Sequence, residues 1–547
     1  MQRVSRIFTK YQILLIVIIF FIGIFFRFYD LGITPSGLSN DEVDTGYDAY
    51  SILITGRDQW GQMQPSPYLR GFGDYRPSLY TYLVIPSIAA FDFTAYAVRY
   101  PAAAIGSLTI LLAGILSYIL WKKSWISIAS MFLLAVNPWH IGMSRIGIES
   151  IVGVFISLLA VTLFVTGTKS SRFLYISMVF FALSIYTYAA YTLFAPLLII
   201  ACIFAYRDTV SKRKIIITLI VFVIALLPAI IFGGLKTAGT RSSQVNLTKD
   251  SGTITVINEQ RGECQKVLPS IICKISINKY SVFATKFSTN YVSHFSPELL
   301  AINGTSTQYS TLPQRGLFYI FEYLIFIIGV AILIIKKNKG GVLILLWIFL
   351  SPIPDSITGG GHYSRYLLLL PSAQIAGAYG LVYLVDKIRR KKFILAFPLI
   401  LIIYEVMFFG ITYFSYFKVF YSRFEMSGYE ATMKYIDTQK NNYDKIIISS
   451  RINDTKQYAY YLFYSKYDPY KYQRPGTQQI IKENDNWIRV RRVDNVYFLN
   501  KIPDDALLTK DTLFIASVKE VPRKAKIVKE LKDLKGDVLF VAFRPND

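Results

Sequence analysis

Residues 13–28 read ILLIVIIFFIGIFFRF, and residues 39–82 read SNDEVDTGYDAYSILITGRDQWGQMQPSPYLRGFGDYRPSLYTY. The first stretch is a near-continuous apolar run behind a basic start, MQRVSRIFTKYQ. An α-helix rises ~1.5 Å per residue, so such a run reaches across much of a ~30 Å hydrocarbon core. No small-residue cleavage site follows it, so it reads as an uncleaved first span with the N-terminus inside. The second stretch is polar, aromatic and long, which makes it more than a connector.

The whole chain has the same character. Of its 547 residues 53% are hydrophobic, and mean hydropathy is +0.39, which places it among polytopic membrane proteins. Further spans are predicted near 96–121, 125–142, 149–168, 173–187, 190–206, 213–233, 316–335, 341–354, 364–385 and 392–415, about eleven in all. A polar centre at 184–188 breaks the stretch 173–206. The formal charge of +24 would suggest nucleic acid in a soluble protein. Here the basic residues cluster in short loops at 122–123, 169–172, 207–214, 336–339 and 387–392, as the positive-inside rule requires, so no nucleic-acid partner is expected. The loops 29–95, 143–148, 234–315 and 355–363 then share the outer face. Aromatic residues, 16% of the chain with 40 Tyr and 39 Phe, suit membrane interfaces and sugar or lipid grooves.

Beyond residue 415 the pattern changes. Runs such as VYFLN, TLFIAS and VLFVAF read as strands, and TKQYAYYLFYSKY and KAKIVKELKDL as helices. The expected architecture is therefore a membrane module, 1–415, followed by a soluble extracytoplasmic α/β domain, 416–547. The latter carries neither GxGxxG nor GxxxxGK[ST]. Of three cysteines, Cys202 sits in an apolar run, while Cys264 and Cys273 share an outer loop where a disulfide is chemically reasonable. The three histidines form no zinc spacing.

Four constellations fall on the outer face. Ser39-Asn40-Asp41-Glu42 fits a capping box, with Ser39 as N-cap and Glu42 at N3. Val43, Tyr47, Tyr50 and Ile54 then form one stripe of a short helix expected to lie on the membrane surface. Both acids are candidate catalytic residues, but capping explains Glu42 nearly as well and the helix dipole is an alternative for Asp41; of the two, Asp41 is the freer to act as a base. In FGDYRPSLY, Arg76 stands between glycine and proline, where a guanidinium can pair with a phosphate or with lipid headgroups. In SRIGIE, Arg145 and Glu149 are four apart and would share a helical face. In GGGHYSRY, three glycines precede His362 and Arg365, a pattern suited to backbone approach and phosphate contact.

Together these motifs resemble the lipid-linked-sugar glycosyltransferases of the GT-C class, related to bacterial protein O-mannosyltransferases and to the aminoarabinose transferase of lipid A. The resemblance covers residues 1–415 in order and spacing. It implies an inverting transfer from a polyprenyl-phosphate sugar to an acceptor (lipid, glycan or protein) on the extracytoplasmic face of the cell membrane. It implies an acidic catalytic position at Asp41 with Glu42 beside it, and donor-phosphate contacts at Arg76 and Arg365, with Arg145 and His362 as further candidates. The second acidic position falls on Glu149. Arg76 stands where relatives carry lysine, and Ser78 where a second proline is common. No cofactor is demanded; a divalent cation on Asp41, Glu42 and Glu149 stays open. The rival expectations are a polyprenyl-linked glycan ligase or polymerase, and a lipid-sugar transporter, which would need polar or broken helices near the midplane.

Overall fold

The computed structural model describes residues 8–72, 75–231, 251–305, 312, 315–388, 396–420, 422, 426–449, 456–482, 488–502 and 511–545. Gly73 and Asp74 of the FGDYRP turn lie outside these. The chain forms two compact units. One gathers Met1–Arg27, Ala104–Ser144 and Glu149–Phe409; the other gathers Phe28–Ala103, Arg145–Ile148 and Gly410–Asp547. The division thus differs from the expected boundary at 415, because Phe28–Ala103 groups with the C-terminal region.

Six helices among the described residues are long and apolar enough to cross a membrane: Lys10–Phe28, Ala95–Trp121, Ser150–Gly167, Lys212–Ile231, Lys339–Ile357 and Ile400–Phe420. The pair Tyr363–Leu369 and Ser372–Lys387, bent by 44°, makes a seventh if it is one span. This is a multi-pass membrane protein. The other expected spans are shorter than the ~20 residues a perpendicular crossing needs. The stretch 125–142 divides because Asn137 leaves the helical region (φ −58°, ψ 122°) and caps a new helix, Pro138–Met143. The polar centre at 184–188 does end one helix, Ser171–Ile185, before the next, Tyr191–Ala205. The helix Leu79–Phe91, containing Pro86, lies in what was expected to be loop.

Within the first unit, small residues set the closest helix crossing. A Cβ on Gly329 would stand 2.0 Å from the Ala376 carbonyl oxygen, and one on Gly380 would stand 2.7 Å from Gly329. Backbones approach this closely in membrane bundles only where side chains are absent. Cys264 and Cys273 are joined in a disulfide.

The second unit carries a hairpin, β1 (Tyr68–Arg70) with β2 (Tyr75–Pro77), and a seven-stranded mixed sheet. The sheet strands are β3 (Lys445–Ser449), β4 (Gln478–Lys482), β5 (Ile488–Val493), β6 (Val496–Leu499), β7 (Thr512–Ala516), β8 (Lys526–Lys532) and β9 (Val538–Arg544), in the order β4-β5-β6-β3-β7-β9-β8. Central β3 pairs in parallel with β6 and β7 and buries its Ile-Ile-Ile run, as a strand covered on both faces should. KAKIVKELKDL, expected as helix, is instead the edge strand β8, antiparallel to β9. Its lysines suit an exposed edge, where charge blocks pairing with other chains; ladder pairing outweighs the local helical propensity.

The helix Asn40–Thr55 is a further correction. It does not lie on a surface. Its residues Glu42–Ala49 are all buried, on every face. The Tyr47 hydroxyl donates to the Tyr467 carbonyl at 3.0 Å, and Tyr460 donates to the Leu38 carbonyl at 2.9 Å. Tyr472 meets Tyr47 edge-on at 5.9 Å. Aromatic residues from 458–472 thus cover faces that the sequence pattern assigned to water.

Candidate active site

Ser39 caps the buried helix as expected, and both halves of the capping box form: Glu42 N donates to Ser39 Oγ at 3.3 Å, and Ser39 N donates to Glu42 Oε2 at 2.8 Å. The other oxygen of Glu42 accepts from Arg99 Nε and from Gly147 N, each at 2.8 Å. Arg99, which sequence reasoning passed over, is buried and also donates to the carbonyls of Leu31, Pro35 and Gly37. It therefore ties residues 31–37 to the helix start. Glu42 is engaged by both the cap and the Arg99 ion pair. Asp41 differs in every respect. It is exposed, and among the described residues no hydrogen bond or ion pair holds it.

One turn further on, Asp44 and Asp48 are fully buried. Arg76, delivered by β2, spans both: Nη1 pairs with Asp44 Oδ2, and Nη2 with Asp48 Oδ2 at 2.5 Å. Gln59 closes the arrangement, donating from Nε2 to Asp44 Oδ1 at 2.7 Å and from its backbone to Asp48 Oδ1 at 3.0 Å. Burial pushes the Asp48 carboxyl well above the usual range; Arg76 opposes that shift, and Asp44 and Asp58 add to it. Burial likewise raises Asp58. The guanidinium expected to bind donor phosphate is thus held by two carboxylates. Losing it would leave two buried carboxyl groups without their cation.

SRIGIE is not helical. Pro138–Met143 ends before it and Ser150–Gly167 begins after it, so Arg145 and Glu149 share no helical face. Arg145 is buried, donates to the Thr34 carbonyl at 2.8 Å and lies 4.8 Å from the Phe414 ring centre. Gly147 is needed for close approach, since a Cβ would meet Val98 at 2.9 Å and Glu42 at 3.2 Å. Glu149, in the first unit, stands at the N-cap of Ser150–Gly167 and is half-buried.

The GGGHYSRY turn, also in the first unit, keeps a more open cation. Gly359, Gly360 and Gly361 have φ of 114°, 77° and 79°, three consecutive left-handed positions that side chains rarely adopt. Asp355, buried and not anticipated from sequence, fixes this turn. Its Oδ2 accepts from the His362 backbone at 3.1 Å and faces His294 Nε2 at 2.8 Å, while Oδ1 lies 3.9 Å from Arg365 Nη1. His294 Nδ1 is 2.5 Å from the Asn290 carbonyl. Arg365 also donates to Thr358 Oγ1 at 2.9 Å. Its side chain is 24% exposed against 12% for Arg76. His362 is half-buried and stacks on Tyr363.

Among the described residues no three His, Cys, Asp or Glu gather in a metal-holding group.

Solved structures share this architecture. ArnT from Cupriavidus metallidurans, bound to undecaprenyl phosphate, matches with a TM-score of 0.51 over 97% of this chain and 97% of its own, at 11% identity. The fold is of the GT-C type. The apo oligosaccharyltransferase of Archaeoglobus fulgidus matches with a TM-score of 0.50 at 13% identity, over 84% of this chain and 64% of its own. The chain therefore spans about two thirds of that enzyme's length. No family model and no curated protein matches the sequence.

Proposed function

We propose that this protein is an inverting glycosyltransferase that moves a hexosyl or pentosyl group from a polyprenyl-phosphate donor to an acceptor outside the cytoplasm. The N-terminus is cytoplasmic in this reading, and the second unit extracytoplasmic. The observation that carries it is the contrast at the start of the helix Asn40–Thr55: every neighbouring acid is engaged, and Asp41 alone is exposed. A carboxylate so placed can take the proton of an acceptor hydroxyl as the glycosidic bond forms. The leaving lipid phosphate gains charge in the same step, and a preorganised guanidinium stabilises it. Arg365 is assigned that task, with His362 beside it. Glu149 is kept as an accessory acid. One base and no covalent intermediate give inversion at the sugar carbon. The GT-C fold and the undecaprenyl phosphate of ArnT support a lipid-linked donor.

The test is to incubate purified protein with polyprenyl-phosphate sugars and an acceptor panel and to measure release of the lipid phosphate. Release only from diphosphate-linked oligosaccharides would favour a ligase or polymerase instead.

A further inference from the structure

Between the helices Lys212–Ile231 and Ile320–Lys336 lies a disulfide-bonded hairpin that the proposed chemistry does not use. It consists of the helices Ser251–Gln265, Ser270–Ser276 and Lys279–Ser293, with Cys264 bonded to Cys273. Ile271, Ile272 and Ile275 share one face of the short helix Ser270–Ser276, and Leu268 lies just before its Pro269 N-cap. Such a face normally packs inward. Here it points out: Ile271 is 69% exposed and Ile275 70%, with Val267 at 84% and Tyr280 at 83% beside them. Cys273, on the opposite face, is fully buried. The bond holds the inner side of this helix against the hairpin and leaves the apolar side uncovered, and contiguous exposed apolar surface marks an interaction site.

Two observations select the occupant. Residues 264–297 contain four lysines and no Asp or Glu, and Lys266, Lys274 and Lys279, all exposed, flank the apolar face. Glu263 pairs with Lys266 at 2.8 Å, and among the described residues Lys274 and Lys279 form no ion pair. Second, a row of aromatic rings connects the hairpin to a membrane span. Phe283, Phe287, Tyr291 and Phe295 recur at four-residue intervals with ring centres 6.0, 5.9 and 5.7 Å apart, and Phe295 meets Phe349 at 5.8 Å. Phe349 belongs to the span Lys339–Ile357, and the Tyr291 hydroxyl donates to its carbonyl at 2.7 Å. Aromatic belts with lysines are what a membrane–water boundary recruits.

We infer that the helix Ser270–Ser276 seats its Ile271–Ile272–Ile275 face, with the preceding Leu268, in the headgroup region of a bilayer containing anionic lipid, with Lys274 and Lys279 on the phosphates. This inference rests on the chain being embedded in a membrane and not on the transferase reading. The test places Ile271→Trp in nanodiscs of brominated phosphatidylglycerol, with wild-type emission subtracted. The introduced indole should lose most of its emission there and keep it in unbrominated discs. The same reporter at Ile254→Trp, exposed on the helix Ser251–Gln265, should stay unquenched. Adding Lys274→Glu and Lys279→Glu to Ile271→Trp should reduce the quenching. The inference is overturned if the indole at 271 stays open to aqueous iodide and unaffected by bromine. It is equally overturned if iodide and bromine both fail to reach it, which would mean protein covers the face, or if the two lysine changes leave quenching unaltered.

Discussion

Arg76 and Arg365 look alike in sequence, each an arginine in a glycine-containing turn beside an apolar span. The structure separates them. Arg76 is clasped by two fully buried carboxylates, with a glutamine side chain and backbone completing their hydrogen bonds. Arg365 has one carboxylate at 3.9 Å and a threonine hydroxyl, on a turn of three left-handed glycines, and its side chain is twice as exposed. The first is built as an internal counter-ion. The second is the more exposed cation, the one assigned to the donor phosphate in the proposed reaction. A motif therefore marks where a cation stands, and the acids around it decide what the cation can do.

The contrast breaks or sharpens under substitution. Arg365→Ala is expected to lower kcat/KM for the lipid donor by about 10²-fold, the cost typical of removing one preorganised electrostatic donor, while the fold remains intact. Thermal unfolding alongside donor titration checks this; a folded variant with unchanged donor use would remove Arg365 from the site. Arg76→Ala is expected to act on folding instead, costing about 3–5 kcal/mol because two buried carboxylates lose their cation. A stable Arg76→Ala variant defective only in donor use would erase the distinction.

Adding Asp44→Asn and Asp48→Asn to Arg76→Ala should then recover part of that loss, since no ionised group remains stranded. Denaturant unfolding of the single and triple variants measures the recovery. A smaller effect concerns pH. Asp48 holds its proton more tightly folded than unfolded. As pH rises past the usual Asp range the unfolded chain releases this proton first, so Asp48 makes the fold less stable through that window and adds no further change above its raised value. Asp48→Asn should flatten this part of the unfolding profile measured from about pH 4 upward. An unchanged slope would assign the dependence to other groups.

How far these arrangements were legible depends on the range of the interaction. The capping box was readable because Ser39 and Glu42 are three residues apart and local geometry dictates the contact. The β6, β7 and β9 runs were readable because burial selects apolar strands. What failed depended on distant partners. Asp44 and Asp48, four apart on a helix, signal a need for a counter-cation, but nothing local says that Arg76 supplies it from some 30 positions away. The helical reading of SRIGIE ignored the glycine that lets Glu42 reach the Gly147 backbone. Asp355 was one acid in an apolar stretch, and His294 one of only three histidines; both were signals of cost within a membrane protein that deserved weight. The lysine-rich β8 was misread because its ladder with β9 is invisible to local propensity.

The most direct measurement concerns Asp41. Purified protein and Asp41→Asn, matched for thermal stability, should be compared for release of lipid phosphate from the polyprenyl-phosphate sugar that the wild type uses. Removing a general base should slow release by about 10²–10⁴-fold with little change in donor affinity. Release at the wild-type rate would show that Asp41 only complements its helix, and that the catalytic base lies elsewhere.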